Sequence, residues 1–256
     1  MDCKILSGIF RLRARCPVES RHNRFFPFVK NIAGILSFFT VFFFLKETNK
    51  NIGVSGNFIG NGIQVLKDGK FMAANAAGCA IYTALMVYIS NSSLIFMENF
   101  SVSGRLFSVI FFANSLSIML GSAYISKKSG QNKSAYYLKL AFASMILCSA
   151  AFFASAHFLN SLILFALFLF ATMFFLGMLF PLTTNLALKP FSESNKSGTA
   201  SAIFGFSQLG TAFACTILLN NISNNPIVLL AATFCGCSIL GILPFIEIRK
   251  KETAKA

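Results

Sequence analysis

The chain has 256 residues, of which 55% are hydrophobic, only 12% are charged and 32 are Phe, and its mean hydropathy is +0.69. A soluble domain of this size carries about twice that fraction of charge, so the composition excludes an ordinary water-soluble fold and points to a membrane. The net charge of +14 invites a nucleic-acid reading, but Lys and Arg stand in short clusters between apolar runs, where they act as topology signals and not as a nucleic-acid interface.

A helix crossing about 30 Å of hydrocarbon needs about 20 apolar residues. Seven segments approach that size: 25–45, 71–95, 106–126, 135–156, 162–182, 198–219 and 226–246. Ahead of them, residues 1–24 hold five of the seven arginines in the chain, and this basic head reads as non-native or disordered. The segment 25–45 is interrupted by Pro27 and Lys30. Because a Lys at a helix centre opposes insertion by about 2.5–3.5 kcal/mol, it is expected to lie at the interface, leaving six spans with both ends inside. Residues 46–70 read as a loop, 71–246 as a six-helix bundle and 247–256 as a tail.

Charge sets the orientation. One set of loops holds Lys46, Lys50, Lys67, Lys70, Lys127, Lys128, Lys133, Lys139, Lys189, Lys196, Arg249, Lys250, Lys251 and Lys255, and the other set holds Arg105 alone. The basic set, with the C-terminus, is therefore expected on the cytoplasmic side of the cell membrane.

Five of the seven cysteines lie inside apolar runs, where Cys behaves as a small hydrophobe. Cys235 and Cys237 form a C-x-C pair, but residues two apart on a helix do not share a face and no His or carboxylate is near in sequence, so no metal is expected. No phosphate-binding loop, zinc-protease motif or nucleophile elbow occurs. The expectation is a protein without enzymatic activity or a cofactor.

The stretch 197–225 is uncharged and rich in small residues. In lipid, helices associate by close backbone approach, which small residues permit. Gly198 with Ala202, Ser201 with Gly205, and Gly210 with Ala214 have the required spacing, so Gly198, Ser201, Ala202, Gly205 and Gly210 are expected to mark a helix-packing face.

Four stretches carry a resemblance. FFFLKETNKN from Phe42, SNSSLIFMENFSVSGRLFSVIFFANSLSIMLGS from Ser90, KKSG from Lys127 and PLTTNLALKPFSESNKSGTASAIFG from Pro181 resemble, in order, parts of the drug/proton antiporters of the major facilitator superfamily, in particular the Bcr/CflA group of bicyclomycin and chloramphenicol resistance proteins. The resemblance implies an all-α membrane protein. It would comprise the C-terminal six-helix half of a twelve-helix multidrug efflux transporter, preceded by one helix and by a central cytoplasmic loop at 46–70. The family's first five spans have no counterpart, nor does its mid-membrane carboxylate. All eight acids, Asp2, Glu19, Glu47, Asp68, Glu98, Glu193, Glu247 and Glu252, lie at span ends, in loops or in tails. The expected partners are the lipid bilayer, small amphipathic drugs and protons, and a separately encoded N-terminal half without which the chain is inactive. A seven-span receptor or membrane-assembly protein with an exported head is the alternative.

A polar side chain within a span needs a hydrogen-bond partner or a wet cavity. Asn91, Asn114, Asn185 and Gln208 meet that description, and Glu98 stands at an outer helix end. Tyr82 and Tyr88 are flat enough to stack on a drug. Tyr82, Asn91, Glu98, Asn114, Asn185 and Gln208 form the candidate substrate set. Pro181 is expected to bend or end its span.

Overall fold

A computed structural model describes residues 32, 34–36, 38–40, 42–43, 58–128, 134–155, 161–192, 194, 196–222 and 225–253. The basic head 1–24 lies outside the described residues. Those described between 25 and 45 are helical, with Thr40 Oγ1 donating to the Leu36 carbonyl at 2.7 Å. The chain divides into two compact units, residues 1–54 and 55–256, and the second holds the bundle.

Among the described residues there are helices and turns but no strand. In chain order the second unit contains α1 (Phe58–Lys67), α2 (Gly69–Ser93) running on into a π-helical stretch (Leu94–Asn99), α3 (Gly104–Lys128), α4 (Ser134–Ala154), α5 (Leu162–Leu188), α6 (Ser197–Ile222) and α7 (Pro226–Thr253). Six of them, α2 to α7, are long and apolar enough to cross a membrane. The protein is an all-α membrane protein.

Local chemistry sets the helix ends. Asp68 caps α2, its Oδ1 accepting the Lys70 and Phe71 backbone N–H groups at 2.8 and 3.1 Å, which satisfies donors that a helix start otherwise leaves open. Asn225 does the same for α7, accepting from Ile227 and Val228, and Pro226 takes the first helical position, where a missing N–H costs nothing. Between α2 and α3 the chain turns through Ser101, at φ 51°, with Val102 N–H donating to the Phe96 carbonyl at 2.9 Å.

Two expectations gain detail here. The stretch read as a loop at 46–70 contains α1, whose Val65 is buried against Phe71, Ala74, Ala187, Phe191, Ala200 and Phe204. A ten-residue helix with Gly at two positions has weak propensity, so packing stabilises it. Pro181 does not end its helix, because α5 continues to Leu188. The ring removes one donor, and Thr183 and Thr184 donate to the Leu179 and Phe180 carbonyls in the same turn.

The bundle has an internal order. The helices α2 and α5 lie at its centre: α2 packs against α5, α6 and α7, while α5 packs against α2, α3 and α4; α4 also meets α7. Exchanging α2, α3 and α4 for α5, α6 and α7 leaves this principal pairing pattern unchanged. Three spans is an odd number, so the two triplets enter the membrane from opposite sides, which is the inverted-repeat arrangement of membrane transporters. At one end Phe165 is the hub of an aromatic cluster with Phe96, Phe100 and Phe152, centroids 5.1–5.6 Å away. This gathers the ends of α2 and α4 with the start of α5. The clustered Lys residues fall at the opposite ends of the same helices.

At two glycines, α3 and α5 approach backbone to backbone. A Cβ built on Gly121 would lie 2.1 Å from the Phe174 carbonyl oxygen, and one on Gly177 would lie 2.2 Å from that of Ile118. Each glycine therefore sits against backbone of the facing helix, a geometry suited to weak C–H···O contacts. The expected packing face on α6 is not used in this way. Among the described residues, nothing lies within 4 Å of a Cβ at Gly198, Gly205 or Gly210, and Ser201 and Ala202 are exposed. The helix α6 meets α2 through Phe204, Ser207 and Gln208 instead, which turns most of its small residues away from the contact.

Candidate functional site

The polar groups of α2 reach two neighbours. Toward α6, Asn75 Oδ1 accepts the Ser207 hydroxyl at 2.7 Å. Gly78 leaves room for Gln208, whose Nε2 would be 2.4 Å from a Cβ at that position. Farther along, Asn91 Nδ2 donates to Asn220 Oδ1 at 2.9 Å and also to the Val87 carbonyl at 2.9 Å. Toward α3, Asn114 Nδ2 donates to the Tyr88 hydroxyl at 2.9 Å, and the Tyr88 ring stacks on Phe111. A side-chain bond to backbone also joins α3 and α5, from Ser117 to the Phe170 carbonyl at 2.7 Å.

These contacts divide the candidate set. Asn91 and Asn114 are buried, and each binds another helix, so both amides are spent on helix association. Tyr88, 2% exposed and paired with Asn114, is closed to a stacking ligand. Glu98 and Asn185 are both exposed, the first in the π-helical end of α2 and the second near the end of α5, at opposite ends of the bundle. The structure does not bring them together with the other four.

Tyr82 and Gln208 remain. Both are half-buried and both lie within about one turn of the middle of their helices. Tyr82 is one turn along α2 from Gly78, where Gln208 rests, and its ring meets Phe180 of α5 edge-on at 6.2 Å. Gln208 makes no hydrogen bond to a described residue, and farther along α6 the buried Thr216 Oγ1 has no partner either. An amide with two donors and an acceptor, one helical turn from a phenol, is chemistry that recognises a neutral polar group on an otherwise apolar molecule.

The sequence reading missed Asn75, Ser207 and Asn220. Asn75 stood in the same apolar run as Tyr82 and obeys the rule that selected Asn91, so the signal was present. Asn220 stood just beyond the expected end of its span, and Ser207 is one of many hydroxyls with no mark to separate it. Among the described residues no three His, Cys, Asp or Glu gather as a metal site. Cys235 lies 3.0 Å from the Ser149 hydroxyl, a contact between α7 and α4.

No protein-family model matches the chain. It is 24% identical over 212 residues to the uncharacterized MFS-type transporter YdgK of Bacillus subtilis (strain 168), an alignment that covers 82% of this chain and 51% of that protein. The chain thus spans about half the length of the curated relative it matches. With six apolar spans in a doubled three-helix arrangement, this similarity supports membership of the major facilitator superfamily.

Proposed function

We propose that the chain forms one wall of a drug/proton antiporter of the Bcr/CflA type, moving small amphipathic compounds by alternating access, with a second half supplying the opposed wall. The observation that carries this reading is Gln208, a half-buried amide near the middle of its span with no hydrogen bond to a described residue, resting at Gly78 one helical turn from Tyr82. An unpaired amide in a membrane interior is costly, and a substrate or water that fills its bonding capacity relieves that cost.

Proton coupling belongs to the other half in this scheme. The chain has eight acids; Asp68 is engaged as a helix cap and Glu98 is exposed at a helix end. Alone, the chain lacks the second wall that alternating access requires and is expected to be inactive. The face of α6 with Gly198, Ser201, Ala202 and Gly205 is small and partly polar, which suits close approach to another helix better than contact with lipid.

The test is drug accumulation in cells that express the chain alone, or together with the N-terminal half of the Bacillus relative. Reduced accumulation only in the pair, lost in Gln208→Ala and weakened several-fold in Tyr82→Phe, is the expected result. Export by the pair that is indifferent to Gln208→Ala would remove this site from the transport path.

A further inference from the structure

We propose that α3 carries a binding site for one anionic phospholipid, with its headgroup at Lys127 and Lys128 and an acyl chain along the exposed ridge of the helix. Phe112, Leu116, Leu120, Tyr124 and Lys128 recur at every fourth position, and all five are exposed. The apolar part of the ridge, from Phe112 to Tyr124, covers about 18 Å at 1.5 Å per residue, close to the depth of one leaflet at about 15 Å. It runs from near the bilayer centre to the interface and ends on a cation.

The head of the site is held in place. Lys128 Nζ donates to the Tyr124 hydroxyl at 2.9 Å and stands 5.2 Å from the centroid of that ring, which keeps the ammonium at the rim of the apolar ridge. Lys127 is exposed beside it, and Tyr136 and Tyr137, rings edge-on at 5.6 Å, open the next helix. Three of the five tyrosines in the chain are thus gathered at this turn of the bundle, at the level where amphipathic rings settle. The charge is uncompensated in sequence, since no acid occurs between Glu98 and Glu193. A phosphodiester with a net negative charge complements the lysines and supplies acceptors for hydroxyl groups; a zwitterionic headgroup brings its own cation and complements them less well.

This site is separate from Gln208 and Tyr82, so its test does not depend on transport. The purified chain in a neutral detergent is titrated with dioleoyl-phosphatidylglycerol, dioleoyl-phosphatidylcholine or inorganic phosphate, and the melting temperature is followed. The expected result is a saturable rise with phosphatidylglycerol alone. Lys127→Gln/Lys128→Gln should weaken the apparent affinity about tenfold to thirtyfold, the effect of two cations near a charged surface, while Lys250→Gln/Lys251→Gln, with the same charge removed elsewhere, should not. Equal responses to the two lipids, a response to phosphate alone, or equal loss in the two double variants would overturn the proposal. A photo-crosslinker at Leu120 adds a second arm in cells: transfer to phospholipid supports the site, and transfer to a polypeptide would show that the ridge faces protein.

Discussion

Glycine does opposite things at different positions of this bundle. At Gly121 and Gly177 the atom that would clash is a carbonyl oxygen of the facing backbone, which cannot move without its helix. An added methyl must push α3 and α5 apart, and overpacking of this kind costs about 1–3 kcal/mol. At Gly205 the space beside the Cα is open, so Ala adds no clash and gains helix propensity of up to about 1 kcal/mol. Gly121→Ala and Gly177→Ala should therefore each lower the melting temperature in detergent by several degrees, while Gly205→Ala leaves it unchanged or raises it. No loss in Gly121→Ala and Gly177→Ala would show that the two helices approach elsewhere than at the Gly121–Gly177 contact, and an equal loss in Gly205→Ala would show that the space beside Gly205 is filled in the membrane. The sequence reading did not single out Gly121 and Gly177, for a physical reason. Overlapping small residues mark a helix that other helices can approach closely, but nothing in the spacing says which helix comes near, whereas a single glycine among Ile, Met and Leu carries no local mark.

The helices themselves were legible, because the solvent demands about 20 apolar residues and the chain supplies six such runs without ambiguity. Observed helices extend past the expected ends by up to a few residues or turns, as from 182 to Leu188 in α5, since the hydrocarbon boundary does not interrupt backbone hydrogen bonds. Which helices touch was not legible. A span that is apolar on all sides has no face to read, and the pairing rests on a few polar or small residues. The link between α2 and α6 shows how few these are: Asn75 with Ser207, Gly78 with Gln208, and Asn91 with Asn220. Interhelical bonds in membranes contribute about 0.6 kcal/mol each, to a maximum near 1.7. A double-mutant cycle on Asn91→Ala and Asn220→Ala should give a coupling energy in that range, and the double variant should speed hydrogen exchange along α6 before α5. The helix α6 has one main neighbour, while α5 is flanked by three. A coupling near zero would mean that the two amides do not meet in the membrane.

The whole bundle shows how charge and fold agree. Consecutive spans alternate in direction, so the start of α2, the end of α3, the start of α4, the end of α5, the start of α6 and the end of α7 share one side. Lys67 and Lys70, Lys127 and Lys128, Lys139, Lys189, Lys196, and the run from Arg249 stand at these ends, and Arg105 begins α3 on the other side. Orientation follows from where the cell retains cationic loops, so the basic side should face the cytoplasm. In a chain freed of its native cysteines, a cysteine at Ser129 should resist an impermeant maleimide in intact cells and react once the membrane is opened. One at Asn224, between α6 and α7 in sequence, should react in both. The native cysteines of the spans need removal first, because Cys148, Cys215, Cys235 and Cys237 are only half-buried and detergent would expose them. Labelling at Ser129 from outside, with protection at Asn224, would reverse the topology, and the lysines would then be sorted by something other than charge. Labelling of both sites in intact cells would mean that the chain enters the membrane in two orientations. That outcome has a physical cause to examine in the segment 25–45, where Lys30 and the basic head oppose the insertion that its phenylalanines favour.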